Sequence, residues 1–557
     1  MRKAICVEKY DVIVAGGGLA ALRSAVSAAQ AGARVCLLVK TRLCSGSSFY
    51  PGMEMVACQS SANTPAADEQ WLDEIMRTSC GVADRRMNEI YIRNIRSAVE
   101  KMPEIGILHA CETEPKLACF AEQIRPAFVW GNWAEIRAEA EKIIRNLHIE
   151  VRENTRLLSI LRDGKQVCGV TGVCKGEISA YAAPSVILAT GGMGGLYRHS
   201  LNTPETTGDG QTIALLAGAP LINAEFLQFI PGFIKPAYKT VFREMSMPYI
   251  RAYTRADGRD LFEGYPLSAD ERAACLKLRS THGPFSAETI SKHFDIAMMR
   301  AIVDQNAEGV WVRYDSGILK DEFTFIRPYV TWLRENRGIE IDREPIMIAP
   351  FCHAANGGVR INARCETDIR GLFACGEVSG GIHGANRQGG MSTGSCLVFG
   401  DIAGRCAAEY AQTHSCAAMH PSDAQNELET IYGSGAGTGD PDAVIAAVQD
   451  MMWQDASIIR SEDGMIATMQ KIERLSEGYL AGSRIADCAM GDRAITAQHM
   501  LVLSRALLAA MLNRRESRGA HYRIDYPNHD DANYLRRFEV HYNAGEYTVR
   551  PERNTAI

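Results

Sequence analysis

Three consecutive glycines, Gly16-Gly17-Gly18, precede Leu19, Ala20 and Ala21. Gly16, Gly18 and Ala21 have GxGxxA spacing, and the chemistry this serves is pyrophosphate binding. Glycines let backbone N–H groups approach phosphate oxygens, and the N-terminus of a following helix favours negative charge. The elements that must position this turn are legible on both sides. YDVIVA (10–15) is a short apolar strand, LAALRSAVSAAQAG (19–32) has helical spacing of small and apolar residues, and ARVCLLVK (33–40) is a second apolar strand. Strand, turn, helix and strand make a βαβ dinucleotide unit, with Leu19 and Ala20 opening the helix beside the phosphates. The second strand ends in Lys40 and not in the acidic residue that holds a ribose 2′-OH in simple NAD proteins. Either the ribose contact or the cofactor differs.

Two further apolar strands run into glycine turns. PSVILATGGMGGLY (184–197) turns at Ala189, Thr190 and Gly191, and GLFACGEV (371–378) ends in Gly376-Glu377. Three such units, far apart in sequence, point to one ligand gripped by distant segments.

The chain has 557 residues, which calls for two to four domains. Its 60 Lys and Arg against 66 Asp and Glu leave a net charge of −6. That balance argues against nucleic acid or an acidic membrane surface as a partner. None of the 17 cysteines forms a CxxC pair, so neither a metal site nor an iron–sulfur cluster built by this chain is expected. Many lie in apolar runs, such as Cys36 in VCLLV and Cys396 in SCLVFG, which reads as buried free thiols in a reducing cytosol. No stretch reaches the roughly 18 uncharged apolar residues of a membrane span. Neither direct membrane insertion nor a signal peptide is expected, and the expected location is cytoplasmic.

Motifs further along carry a resemblance. They are PFCHAANGGVRI (350–361), FACGEVSGGI (373–382), HGANR (383–387), the helical hairpin MMWQDASIIRSEDGM (451–465) and RRESRGAHYRIDYP (514–527). In this order the chain resembles the flavoprotein family of succinate dehydrogenase, fumarate reductase and L-aspartate oxidase. The resemblance implies an α/β fold: an FAD-binding Rossmann-like domain with an inserted α+β capping domain and a C-terminal helical domain. The expected bounds are 1–220 and 346–412 for the FAD domain, 221–345 for the cap, and 413–557 for the C-terminal helical domain and tail. It implies FAD as cofactor. GSSFYPG (46–52) looks like a flavin-contacting loop, with Gly46, Ser47 and Ser48 at the ligand. Ser47 stands where succinate dehydrogenases carry the histidine that bonds flavin covalently, so FAD is expected to be non-covalent. TTGDG (206–210), with Asp209, is placed near the adenine half, and Glu377 at the ribose or ribityl region. The helix starting near Ser392 is expected to point its positive end at the isoalloxazine.

The same resemblance implies hydride transfer between flavin and a small carboxylic acid, at a C=C or C–N bond. His353 and Arg387 match the histidine and the carboxylate-clamping arginine of the family, and His383 is read as structural. Other positions depart from the pattern. In EFLQFIPG (225–232), Ile230 and Gly232 stand where the family places a His and a Thr that contact substrate, which suits a less polar group. In HFDIAMMRAI the position of the family's proton-donating arginine falls on Asp295, or on Phe294 with a one-residue slip. Asp295 is the candidate acid–base, with His293 and Arg251 behind it. PYIRA (248–252) replaces the family's R-G-E-G, Gly52-Met53-Glu54 its Gln-Gly-Gly, and Met391 its Asn before Ser392. The substrate is therefore expected to differ from plain fumarate or succinate. With no cluster of its own, the chain is expected to exchange electrons with an iron–sulfur or other electron-transfer protein. The alternatives are an electron-transfer subunit of such a complex, L-aspartate oxidase itself, and an FAD-binding relative without catalysis.

Overall fold

The sheet carrying the first glycine turn is parallel. In the computed structural model, which describes residues 5–49, 55–108, 111–112, 117–322, 326–416, 421–432, 439–480 and 491–553, its strands lie in the order Leu372–Ala374, Ser185–Leu188, Val12–Ala15, Val35–Leu38, Glu150–Arg152. Every pairing in it is parallel. The continuous runs VIVA, VCLL and SVIL are fully buried, as covering both faces requires. All three glycine turns leave adjacent strands at one end of this sheet, the carboxyl end, where open α/β sheets bind ligands.

Helix Leu19–Gln30 begins directly at the first turn and crosses helix Met391–Thr413. Their approach is close because a Cβ at Gly404 would stand 2.3 Å from the carbonyl oxygen of Ser24. The second helix is thereby fixed against the first, and its N-terminus meets the same end of the sheet.

The cap is built on an antiparallel sheet in the order Thr240–Val241, Leu227–Lys235, Ile346–Ala355, Val310–Tyr314, Ile250–Thr254. Its central strand lies past the boundary expected at 345: Ile346–Ala355 pairs with Leu227–Lys235 along its length. The expected break falls just before this strand, but its backbone needs a partner and finds it in the cap strand Leu227–Lys235. The chain thus enters the cap along EFLQFIPG and leaves it along IMIAPFCHAA.

Beyond helix Met391–Thr413 stand helices Pro421–Tyr432, Pro441–Asp455, Glu462–Leu480 and Asp492–Asn513. Asp492–Asn513 is long and apolar enough to cross a membrane, but 78% of its most apolar window is buried inside the protein, so it serves as a core helix. The region is not helical throughout. A hairpin, Phe538–Asn543 with Glu546–Pro551, pairs with Leu221–Ile222 at the cap entrance. A buried ion pair reinforces the join: Arg514 Nε donates to Glu225 Oε1 at 2.6 Å. Glu225 in EFLQFIPG therefore ties the cap entrance to the RRESRGAHYRIDYP segment.

Candidate active site

An elongated cavity opens at the carboxyl ends of the parallel strands. Gly16, Gly18, Leu19, Ala20, Lys40, Gly46, Ser47, Ser48, Ala189, Thr190, Gly191, Asp209, Glu377, Ser392, His353 and Arg387 all line it. Gly376 does not; it lies behind the wall, where a Cβ would come within 2.7 Å of the Ala20 Cβ. The turns touch: a Cβ at Gly16 would stand 2.1 Å from the Ala189 carbonyl oxygen. Tyr50 to Glu54, including the end of GSSFYPG and Gly52-Met53-Glu54, fall outside the described residues.

Lys40 and Arg156 both line the cavity. Lys40 Nζ donates to Asp209 Oδ2 at 3.0 Å and Thr207 Oγ1 at 3.1 Å, and Arg156 Nη2 donates to Asp209 Oδ1 at 2.6 Å. His499 Nδ1 lies 2.9 Å from the same oxygen. Burial alone would raise the Asp209 carboxyl; Arg156, Lys40 and His499 outweigh it and hold it well below the usual range. The lysine that replaces an acidic residue after the second strand is thus neutralised by an aspartate from TTGDG. Ser47 Oγ accepts from the Thr203 N–H at 3.4 Å, and Asn202 Nδ2 lies 3.5 Å away. Asn202, Thr203 and the strand segment Thr155-Arg156-Leu157 line the cavity without being legible in the sequence as ligand contacts. Ser392, Thr393, Ser395 and Cys396 line it from the first turns of helix Met391–Thr413.

Five buried polar atoms of residues that line this cavity have no hydrogen-bond partner among the described residues. They are Arg156 Nε, Thr190 Oγ1, Glu205 Oε2, His383 Nδ1 and Arg387 Nε. Buried polar groups without partners are costly, and five on residues around one cavity are what a polar ligand there would satisfy. The donor set, the helix N-terminus and the glycine cradle fit FAD.

Arg387 is 7% exposed, and no carboxylate of the described residues lies within ion-pair distance of it. Burial lowers its pKa, with Glu377 opposing; a guanidinium stays charged nonetheless. Glu377 is occupied elsewhere, its Oε1 accepting the Ala355 N–H at 2.9 Å. His353 is pushed down to about 3 by burial, aided by Arg387, and is therefore neutral at ordinary pH. His383, read as structural, also lines the cavity, and burial and Arg387 hold it well below its usual value.

Asp295 is corrected as the acid–base. It is 1% exposed and does not line the cavity, and both of its oxygens accept from Arg279. Burial raises its pKa against that pairing, but a carboxylate with both oxygens taken has no route to a substrate. Arg251 is 62% exposed and paired with Asp315, and His293 Nδ1 meets Tyr265 Oη at 3.0 Å; neither lines the cavity.

Cap residues without a motif of their own gather beside Ile230. A Cβ on Gly283 would stand 3.4 Å from Glu244 Oε2 and 3.8 Å from Ile230 Cγ2. The Gly283 N–H donates to Cys119 Sγ at 3.3 Å, and its carbonyl accepts from Arg279 Nη2 at 2.8 Å. Cys119 is pushed up to about 12 by burial and by Glu244, while Arg387 and Arg279 act in the opposite direction. It therefore stands within the fields of both guanidinium groups. The available signal for Glu244 is its place just before PYIRA, in VFREMSMPYIRA. Ile230 packs with Phe351 and with Leu201, which lines the cavity. Gly232 leaves room for an aromatic ring, since a Cβ there would meet Phe351 Cδ2 at 2.6 Å.

Comparison with known proteins agrees with this geometry. The FAD binding domain family matches residues 11–393, and the fumarate reductase flavoprotein C-terminal family matches residues 445–554. The chain is 28% identical to L-aspartate oxidase of Streptomyces coelicolor, over 98% of this chain and 93% of that one. It is 30% identical to one of the subunits of the fumarate reductase (CoM/CoB) of Methanothermobacter marburgensis, over 70% of each chain. Among solved structures, the Mycobacterium smegmatis Sdh1 complex in the apo form aligns with a TM-score of 0.81 at 24% identity, covering 99% of this chain and 95% of that one.

Proposed function

Since the chain belongs to the flavoprotein family of succinate dehydrogenase, fumarate reductase and L-aspartate oxidase and is an FAD-dependent oxidoreductase, we propose that its substrate is a small carboxylic acid held by Arg387. The carrying observation is the buried guanidinium of Arg387, which faces the cavity without a carboxylate partner among the described residues. A buried charge needs a counter-charge, and a planar guanidinium takes a carboxylate through two parallel hydrogen bonds.

FAD, when bound, supplies two-electron hydride chemistry at a C=C or C–N bond. The chain's own residues bind and orient the acid and move one proton. Arg387 fixes the carboxylate, and the neutral imidazole of His353 adds a hydrogen bond without adding charge. Glu244, set behind the cavity lining beside Gly283 and Ile230, takes the acid–base role in place of Asp295, whose two oxygens are both held by Arg279. We place FAD non-covalently, with Ser47 at the loop position. Electrons reach or leave the site through an external carrier such as an iron–sulfur protein, and the chain works in the cytoplasm.

A second reading, oxidation of an amino acid at its C–N bond, is favoured by the full-length similarity to L-aspartate oxidase. Anaerobic reduction of the FAD-loaded protein, followed by addition of unsaturated, imino and keto acids, tests both. Recovery of the oxidised flavin band with an unsaturated acid supports the first reading, and recovery with imino acids alone supports the second. Silence with every acid contradicts both.

A further inference from the structure

We propose that Gln388, pinned by Glu74, is a positioning residue: the two hold the turn that carries Arg387 where its guanidinium meets the substrate carboxylate. This rests on the reading that Arg387 holds a carboxylate, and adds what holds Arg387.

Arg387 Nε finds no hydrogen-bond partner among the described residues, so the guanidinium is placed chiefly by the backbone that carries it. That backbone is suspended between two anchors on one helix, Pro65–Thr78. Before Arg387, the Ala385 N–H donates at 3.1 Å to the carbonyl of Ser79, the residue that ends the helix. Gly384 permits the approach, since a Cβ there would stand 2.6 Å from Ser79 Cβ. After Arg387, the buried Gln388 side chain reaches back to the same helix. Its Oε1 accepts from Trp71 Nε1 at 3.0 Å, and its Nε2 donates to Glu74 Oε1 at 2.8 Å and lies 3.4 Å from Thr78 Oγ1. Trp71, Glu74 and Thr78 are spaced three and four residues apart, so they share one helix face.

Glu74 makes the second anchor firm. It is fully buried, and both of its oxygens are engaged. Besides Gln388, Oε1 accepts from Arg125 Nη1 at 3.1 Å and from the Glu122 N–H at 2.7 Å, and Oε2 accepts from Arg125 Nη2 at 2.5 Å. Arg125 in turn lies over the Trp71 ring at 5.0 Å. A buried carboxylate is costly to separate from its counter-charge, so the Gln388 amide has a fixed partner. The contact to Glu122 carries the same anchor towards the cap. Just before Glu122, the Cys119 carbonyl accepts the Gly389 N–H at 2.9 Å, Cys119 Sγ accepts the Gly283 N–H at 3.3 Å, and the Phe120 ring stacks on His282 at 4.8 Å. One carboxylate therefore sets both the Arg387 turn and the segment that meets the cap beside Glu244.

The test is a calorimetric titration of propanoate, 2-butenoate and malonate, each against its amide, into the oxidised FAD-loaded protein. Flavin content and the denaturation midpoint are measured alongside. The unaltered protein is expected to prefer at least one acid over its amide, and Gln388→Leu to cut that preference at least about tenfold while keeping its flavin. Gln388→Leu leaves the Glu74–Arg125 pair intact; should it fail to fold, Gln388→Met takes its place. Glu74→Gln is expected to cut the preference too, and the double variant to lose no more than the larger single loss, as two members of one link do; should Glu74→Gln fail to fold, the Gln388 variants decide. A preference lost in Arg387→Gln but undiminished in Gln388→Leu, whatever the change in midpoint, would overturn the positioning role and leave the carboxylate reading intact. No preference for any acid in the unaltered protein, or a preference kept in Arg387→Gln, would overturn the carboxylate reading and this proposal with it.

Discussion

Arg279 and Asp295 form a two-pronged ion pair sealed inside the cap, with Nε donating to Oδ2 at 2.7 Å and Nη2 to Oδ1 at 3.1 Å. The pair joins the end of helix Ala269–Arg279 to the start of helix Lys292–Asp304. Its location accounts for the acidic residue at the position where the family resemblance calls for an arginine: the aspartate is matched by an arginine arriving from another helix.

Removing one member of a buried pair strands the other. Asp295→Asn is expected to destabilise the fold by about 3–5 kcal/mol, measured by chemical denaturation, while the pH at which activity is half-maximal stays in place. The double variant Arg279→Met with Asp295→Leu is expected to recover most of that loss. A shifted pH profile in Asp295→Asn would restore the acid–base role to Asp295.

Glu244→Gln is expected to lower turnover by about 10²–10⁴-fold, the usual span for a positioned acid–base, with binding of the acid largely kept. The check is a comparison of kcat with the affinity for an unreactive carboxylate. Full activity in this variant would remove Glu244 from the chemistry.

His282 links stability to pH. Its Nδ1 lies 2.8 Å from the Pro284 carbonyl and its Nε2 2.9 Å from Ser291 Oγ, so a neutral ring with the proton on Nδ1 satisfies both. Burial, aided by Arg279, pushes it down to about 3. The unfolded ring takes a proton near its ordinary value of about 6.5, whereas the folded ring does not until about 3. The stability from this group is therefore complete above pH about 6.5 and falls as pH drops, by about 1.4 kcal/mol per unit. His282→Gln is expected to show a shallower decline in denaturation midpoint between pH 6.5 and 5 than the unaltered protein.

Denaturation is expected to release all of the flavin, leaving none on the polypeptide, because Ser47 offers no nitrogen for a flavin bond. Fluorescence of a denaturing gel is the check. Gly16→Ala is expected to purify largely without flavin, since the added Cβ would stand 2.1 Å from the Ala189 carbonyl oxygen.

The flavin side of the molecule is legible in the sequence because its chemistry is done by backbone. Glycine turns after apolar strands declare themselves, and the three turns meet in one cavity. Lys40 stands out as an anomaly, but its partner Asp209 lies 169 residues away, a pairing that only folding reveals. The cap side is harder to read. Asp295 draws attention through its place in a motif, and nothing local signals that Arg279 claims it. Glu244 belongs to no repeat or spacing that marks an active site. The boundary expected at 345 misses the central cap strand Ile346–Ala355, because a strand and its partner across a sheet share no sequence signal.

The most direct test compares an unsaturated acid that reoxidises the reduced protein with its primary amide, which has the same shape and no charge. With Arg387 as the carboxylate holder, the acid is expected to react at least about 10²-fold faster than the amide, from a charged hydrogen-bonded pair of about 3 kcal/mol. That advantage is expected to vanish in Arg387→Gln. Equal rates for acid and amide in the unaltered protein, or an undiminished advantage in Arg387→Gln, would contradict the assignment of this site.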